Sequence, residues 1–347
     1  MNQTKIVTVF ILILFIAGAL YFFMNRQSPK GLLTTQSLGN SQTINNPLSI
    51  ETMRSQKYPG SDLVIEETLA DGLNYHQYIA SYISEGLKIY GLLTIPAGRK
   101  PEAGWPVIIF NHGYIPPQQY RTTERYVAYV AGFARSGYIV FKSDYRGNGN
   151  SEGTPAGAYY SPGYTVDILN AVSSLKRFKD ADPGRIGMWG HSLGGNITLR
   201  VLVVDPKDIK AAVIWGGVVG SYYDLTNNWQ RRVAYRPPAP ELANRNSGRQ
   251  GLISMYGAPS TSSAFWNAID PTAHLTDITA PIQLHTGGSD EEVPAAFSQN
   301  LFSSLKKIGK IVEYYDYPGG DHNISSPNFE IAQQRSIEFF DKYLKTQ

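Results

Sequence analysis

"RIGMWGHSLGG", residues 185–195, decides how the chain is read. A short apolar run from Ile186 to Trp189 ends in G-x-S-x-G with Ser192 at its centre, and a helical pattern, "NITLRVLVV", follows at 196–204. Strand, sharp turn and helix in that order are the setting in which such a serine projects from the top of a sheet. Gly190, Gly194 and Gly195 leave room for the strained turn and for close packing of the helix on the sheet. A second match, "GNSEG" at 149–153, centres on Ser151. It sits in a Gly- and Pro-rich stretch with no helix directly after it, and reads as a loop crossing the top of the sheet. Ser192 is therefore the candidate nucleophile. The N–H of Leu193 and the helix N-terminus would face a developing oxyanion.

Working outward, "DLVIEETL" (62–69), "NYHQYIASYI" (74–83) and "LKIYGLLTIP" (87–96) are β-branched and aromatic runs separated by glycine-containing turns, and predict antiparallel strands. Strand and helix patterns then alternate. "WPVIIFNHG" (105–113), "YIVFKSDY" (138–145), "RIGMWG" (185–190), "IKAAVIWGG" (209–217), "PIQLHTGG" (281–288) and "KIVEYYDYP" (310–318) read as strands. Helical patterns at 125–137, 164–179, 196–204, 295–309 and 329–344 lie among and after them. The order predicts an α/β protein with a mostly parallel sheet covered by helices on both faces.

A serine needs a base and a group to orient that base. In this arrangement Ser, Asp or Glu, and His follow one another along the chain, the last two on loops after strands. "HTGGSDEEVP" places Asp290 just beyond one strand and "YPGGDHNI" places His322 just beyond the next. Of six histidines, His322 alone lies downstream of Asp290. Glu291, Glu292 and Asp321 remain rival acids, because loop register is open. His191 adjoins Ser192, but neighbouring side chains at an elbow point apart, so it reads as a packing residue. His285 falls inside a strand pattern and reads as a core histidine. His76 and His274 have no motif around them. In "FNHGYIP" (110–116), His112-Gly113 follows a strand and matches the element that supplies a second oxyanion N–H, here from Tyr114.

Composition narrows the chemistry. With 42% hydrophobic and 17% charged residues over 347 positions, the chain forms a core. The net charge of +3 is slight and no basic stripe is present, which argues against a nucleic-acid partner. There is no cysteine, so thiol nucleophiles, thiolate metal sites and disulfides are excluded together. No His/carboxylate cluster has metal-ligand spacing, and no cofactor is expected.

Two segments flank this plan. "IVTVFILILFIAGALYFF", residues 6–23, carries no charge and is bounded by Lys5 on one side and Arg26 and Lys30 on the other. Its length is at the lower edge of what spans a hydrocarbon core of roughly 30 Å. An uncleaved anchor within residues 1–26 is the leading expectation, a signal peptide cleaved near Ala17-Gly18-Ala19 the next, and a buried soluble helix the last. The first two readings put the catalytic part outside the cytoplasm. Residues 27–60, rich in Ser, Thr, Asn, Gln and Gly, read as a flexible linker, leaving 61–347 as the catalytic domain. Between two strand patterns, 221–268 is too long for a turn and reads as a small helical cap over Ser192. Its Tyr222, Tyr223, Trp229, Tyr235 and Trp266 would either line an aromatic substrate pocket or pack the cap onto the domain.

At "FNHGY", "DYRGNGNSEG", "RIGMWGHSLGG", "HTGGSDEEVP" and "GGDHN" the chain resembles an α/β-hydrolase, and more narrowly the catalytic domain of the prolyl oligopeptidase (S9) family of serine peptidases. The resemblance runs from about Leu87 onward. It implies the triad Ser192, Asp290, His322, oxyanion donors Tyr114 and Leu193, and no cofactor. Many such enzymes carry a β-propeller ahead of the catalytic domain; here fewer than a hundred residues precede the hydrolase part, so features held by a propeller are not expected. The resulting expectation is a serine hydrolase of small peptide or ester substrates. The alternatives are a carboxylesterase of aryl or short-acyl esters, related to dienelactone hydrolases or feruloyl esterases, and, more remotely, an inactive binding module at a membrane surface.

Overall fold

The computed structural model describes residues 45–345 apart from 156 and 231–238, and omits the side chains of 239–246. The chain divides into two units, Met1–Gln42 and Thr43–Gln347, and everything below concerns the second. The apolar segment at 6–23 and Tyr235 lie outside the described residues. Among the described residues no helix is long and apolar enough to cross a membrane.

Strands β1 (Val64–Thr68), β2 (Tyr75–Ser84), β3 (Leu87–Pro96), β4 (Trp105–Asn111), β5 (Ile139–Ser143), β6 (Ala181–His191), β7 (Ile209–Trp215), β8 (Ile282–Gly287) and β9 (Val312–Tyr317) form one sheet in the order β1-β2-β3-β5-β4-β6-β7-β8-β9. The first three pair antiparallel, β3 meets β5 antiparallel, and every pairing from β5 through β4 to β9 is parallel. This is the α/β-hydrolase architecture that the sequence predicts.

The parallel strands read as continuous apolar runs because both faces are covered. Along β4, Val107 and Ile109 enter one core while Ile108 and Phe110 enter the other, all at 0% exposure, the side alternation that a strand dictates. The helices are α1 (Ile50–Ser55), α2 (Val127–Arg135), α3 (Gly163–Lys176), α4 (Leu193–Val204), α5 (Tyr222–Asn227), α6 (Ala239–Tyr256), α7 (Ala264–Ile269), α8 (Ala295–Lys307) and α9 (Asn328–Leu344). Apolar residues of α1, α3, α4 and α8 fill the first core, and those of α2 and α9 fill the second.

Chain order reverses around β4. After β5 joins one side of β4, β6 pairs on the other, so β4 and β6 flank a topological switch point. The carboxyl ends of strands diverge there into a crevice, the usual ligand position in open α/β sheets.

One expectation needs correcting. Residues 27–60 do not form a linker to their end: Leu48, Ile50 and Met53 are buried, and Arg54 donates to the Val203 carbonyl and pairs with Asp277 at 2.7 Å. A single helical turn is too short to show a period in sequence, so its two anchoring side chains were indistinguishable from linker composition.

Candidate active site

Each candidate residue stands at the carboxyl end of a parallel strand. β4 runs into Asn111-His112-Gly113-Tyr114, β6 into Ser192, β8 into the loop of Asp290, and β9 into the loop of His322. At the elbow Ser192 has φ 55° and ψ −119°, a strained combination for a residue with a side chain. Backbone bonds hold it there: its N–H donates to Trp215 O at 3.1 Å, and its carbonyl accepts from Val218 at 2.9 Å and Gly195 at 3.0 Å. A Cβ on Gly194 would stand 1.9 Å from Asn111 O, so only glycine lets α4 start against the end of β4. Leu193, first residue of α4, has a backbone N–H with no acceptor within its helix. A Cβ on Gly113 would lie 3.1 Å from Ser192 Cβ, which puts the turn after β4 directly against the elbow.

His322 Nδ1 is 2.8 Å from Asp290 Oδ2, with the two side chains 8% and 1% exposed. The other Asp290 oxygen accepts the N–H groups of Glu292 at 2.8 Å and Val293 at 2.9 Å. Of the rival acids, Asp321 takes the N–H and hydroxyl of Ser325, Glu291 is exposed, and Glu292 borders the pocket. The two loops are joined by Gly288 N–H to Tyr317 O and Ser289 N–H to Gly320 O.

Ser192, His322, Leu193, Gly113 and Tyr114 all border one cavity of about 460 Å³. Its walls add Tyr126, Tyr129, Tyr159 and Trp229, with Arg125, Gln119 and Glu292 as polar groups. Trp229 closes one side, its indole N–H on Glu292 O at 2.8 Å and its ring edge-on to Tyr159.

The other expected pocket residues are elsewhere. Tyr222 is buried; its hydroxyl lies on Arg200 and on Tyr159 O, and its backbone N–H on Asp270. Trp266 packs with Tyr222 and Phe265 and donates to Gly257 O, and Tyr223 is exposed. The reason is helical direction. Ser221 caps α5 through a reciprocal pair with Asp224, and that start turns Tyr222 into the domain and Tyr223 to solvent. Of the tyrosines that line the cavity, Tyr114 follows the His112-Gly113 element, Tyr126 immediately precedes α2, Tyr129 lies in its first turn, and Tyr159 comes from the loop after "DYRGNGNSEG"; the last three carry no motif, so nothing in the sequence singled them out. Ser151 lies outside the cavity, its hydroxyl accepting from Tyr90 N–H at 2.9 Å.

His191 does more than pack. Nδ1 is 2.7 Å from the Tyr126 hydroxyl and Nε2 is 3.0 Å from the carbonyl oxygen of His322. Burial, reinforced by the charge of His322, lowers its pKa to about 3. Burial likewise takes His112 to about 3 and His285 well below the ordinary value, whereas it raises Asp144 to about 6. The three histidines thus contribute stability present above about pH 6.5 and lost as pH falls, up to ~1.4 kcal/mol each per pH unit. Asp144, Asp167, Asp205 and Asp270, all raised by burial, work in the opposite sense, stabilising as they protonate, and offset part of that loss. Folding stability is expected to be lower at pH 5 than at pH 7. Urea midpoints at the two pH values measure it, and an equal or higher midpoint at pH 5 would contradict the burial argument.

Three comparisons bear on this geometry. The uncharacterized peptidase YtmA of Bacillus subtilis is 25% identical over 248 residues, 71% of this chain and 85% of that protein. The acylaminoacyl peptidase of Pyrococcus horikoshii superposes with a TM-score of 0.62 at 23% identity, covering 79% of this chain but only 42% of that one. Est1E of Butyrivibrio proteoclasticus, solved with ferulic acid, gives 0.57 at 18% identity over 77% of this chain and 99% of its own. These two superpositions speak to the shared fold. Residues 125–347, from the cavity's Arg125 through the elbow, the aspartate loop and the histidine loop, match the prolyl oligopeptidase family. The chain belongs to the prolyl oligopeptidase family.

Proposed function

We propose that the chain is a serine hydrolase working through a covalent acyl-enzyme, with Ser192 as nucleophile, His322 as base and Asp290 as its orienting group. The observation that carries this reading is the buried Asp290–His322 pair opening on the cavity that also holds Ser192 in its strained elbow. His322 Nε2 takes the Ser192 hydroxyl proton as Oγ attacks the substrate carbonyl carbon, and later hands it to the leaving group. Because Asp290 accepts from Nδ1–H, the bare Nε2 is the nitrogen left to act as base. The N–H groups of Leu193 and Tyr114 receive the oxyanion; losing one such donor typically raises the barrier by on the order of 3 kcal/mol. A water molecule repeats the sequence to release the acyl group.

Peptide bonds are the first substrate class, on the strength of family membership and of polar groups along the cavity (Arg125, Gln119, Glu292) suited to an amide backbone. Aryl or short-acyl esters are the second, favoured by the aromatic walls and by a fold shared with Est1E, which was solved with ferulic acid bound. The apolar stretch at 6–23 supports a catalytic unit outside the cytoplasm, anchored or, where that stretch is cleaved, secreted. The deciding assay sets p-nitrophenyl acetate and butyrate beside aminoacyl and prolyl p-nitroanilides, using the full chain. Anilide turnover that disappears in Ser192→Ala establishes a peptidase. Ester turnover without anilide cleavage moves the chain to the esterases, and neither activity, with no fluorophosphonate labelling, ends the hydrolase reading.

A further inference from the structure

A chain of hydrogen bonds outside the triad connects its parts. Gly113 N–H donates to the Tyr126 hydroxyl at 2.9 Å, that hydroxyl is 2.7 Å from His191 Nδ1, and His191 Nε2 is 3.0 Å from His322 O. The direction of every bond follows from the two ends. A backbone carbonyl can only accept, so Nε2 of His191 carries the proton. The ring is buried and neutral, which leaves Nδ1 bare to accept from the tyrosine O–H. The tyrosine oxygen then keeps a lone pair for Gly113 N–H. Each proton is used once and each acceptor is filled.

We infer that Tyr126 and His191 are positioning residues that fix the oxyanion turn and the histidine loop in register with each other. The inference rests on the serine-hydrolase reading above. Gly113 immediately precedes Tyr114: its N–H anchors the His112–Gly113 peptide, and its carbonyl, 2.6 Å from His112 Nδ1, belongs to the next peptide, which carries the Tyr114 N–H, so fixing Gly113 at both ends sets where that N–H points. At the other end, the anchored carbonyl belongs to His322 itself. His191 lies between them on the elbow, next to Ser192. One side-chain pair thus ties together segments 131 residues apart at the His191–His322 bond and 13 apart at the Gly113–Tyr126 bond.

The packing leaves little slack. A Cβ on Gly113 would stand 2.6 Å from the Tyr126 oxygen and 3.0 Å from His191 Nδ1. The Tyr126 ring is edge-on to Phe110, Tyr129 and His191, and the His191 ring lies 4.5 Å from that of His322. Tyr126 itself has φ 54°, held there at the start of α2. A neutral His191 also matters to the chemistry, because a second positive charge at that distance would oppose the imidazolium that forms on His322.

Three variants of the full chain test it: Tyr126→Phe, which removes only the hydroxyl; His191→Gln, whose amide N–H keeps a donor near His322 O while its oxygen, on the same terminal carbon, does not stand at the Nδ1 position that faces Tyr126; and the double variant. The readouts are kcat and KM for whichever substrate the wild type turns over, fluorophosphonate labelling rate, and melting temperature. Each single variant is expected to lose at least about tenfold in kcat and in labelling rate, with KM within about threefold, because a misplaced oxyanion donor acts on the transition state. The double variant is expected to lose much less than the product of the two single losses, since both cut one chain. Either single variant retaining kcat within twofold of wild type would overturn the inference. So would losses that multiply, or losses that fall in KM alone. A wild type that fails to label with fluorophosphonate removes the hydrolase reading instead. If Tyr126→Phe does not fold, His191→Gln against wild type decides by the same kcat and KM criteria.

Discussion

Replacing Ser192 with alanine is expected to lower turnover by about a million-fold and to leave the fold as it was. The first half follows from the unit behaviour of a triad: without the nucleophile, base and orienter have nothing to act on, and only binding and oxyanion stabilisation remain. The second half follows from how the elbow is held. The bonds from Ser192 N–H to Trp215 O and from Val218 and Gly195 to Ser192 O all use the backbone, and alanine meets the same backbone strain at φ 55° that serine does. The melting temperature should therefore stay within about a degree or two, as for substitutions that remove no buried partner. Ser151→Ala provides the counter-experiment. Its hydroxyl accepts from Tyr90 N–H, so alanine should cost about 1 kcal/mol of stability and leave turnover intact. Turnover lost in Ser151→Ala and kept in Ser192→Ala would reverse the assignment.

The elements of the sheet were legible because each parallel strand is covered on both faces and shows as an unbroken apolar run, as in Val107 to Phe110. The elbow was legible for a different reason: glycine is forced where backbone meets backbone, and Gly194 against Asn111 O admits nothing larger. Asp290 and His322 could be named from their places after β8 and β9, but choosing Asp290 over Glu292 or Asp321 needed the loop's own hydrogen bonds. What stayed hidden depends on side-chain direction over short distances. Tyr222 and Tyr223 are neighbours in sequence, and one is buried while the other is exposed, a difference fixed by where Ser221 caps the helix. His191 was read as packing because its neighbours at an elbow diverge. Its ring instead bonds the carbonyl of His322 and lies 4.5 Å from the His322 ring, at the wall of the cavity. Ile50 and Met53 were lost in polar surroundings because one turn of helix has no period to detect.

Asp290→Asn is expected to reduce kcat by about four orders of magnitude while KM changes little. The size of the effect comes from the tautomer, and the tautomer is set by two backbone donors. Asp290 Oδ1 receives N–H groups from Glu292 and Val293 at 2.8 and 2.9 Å, and Oδ2 receives His322 Nδ1–H at 2.8 Å. In asparagine one oxygen becomes an NH2 group. Turning that group toward Glu292 and Val293 would set donor against donor in a buried site, so the amide oxygen stays on the backbone and the NH2 faces His322. The imidazole then must accept at Nδ1 and carry its proton on Nε2, where it cannot take one from Ser192. The side chain keeps its shape, so the protein should fold and bind substrate. Fluorophosphonate labelling, which needs the same proton transfer, should slow in step with kcat. Asp321→Asn is the control: the Asp321 carboxylate accepts the N–H and hydroxyl of Ser325, and its loss should change kcat less than about threefold. If Asp290→Asn stays within tenfold of wild type, or if Asp321→Asn is the more damaging change, Asp290 does not orient the base and the acid of this site is another residue.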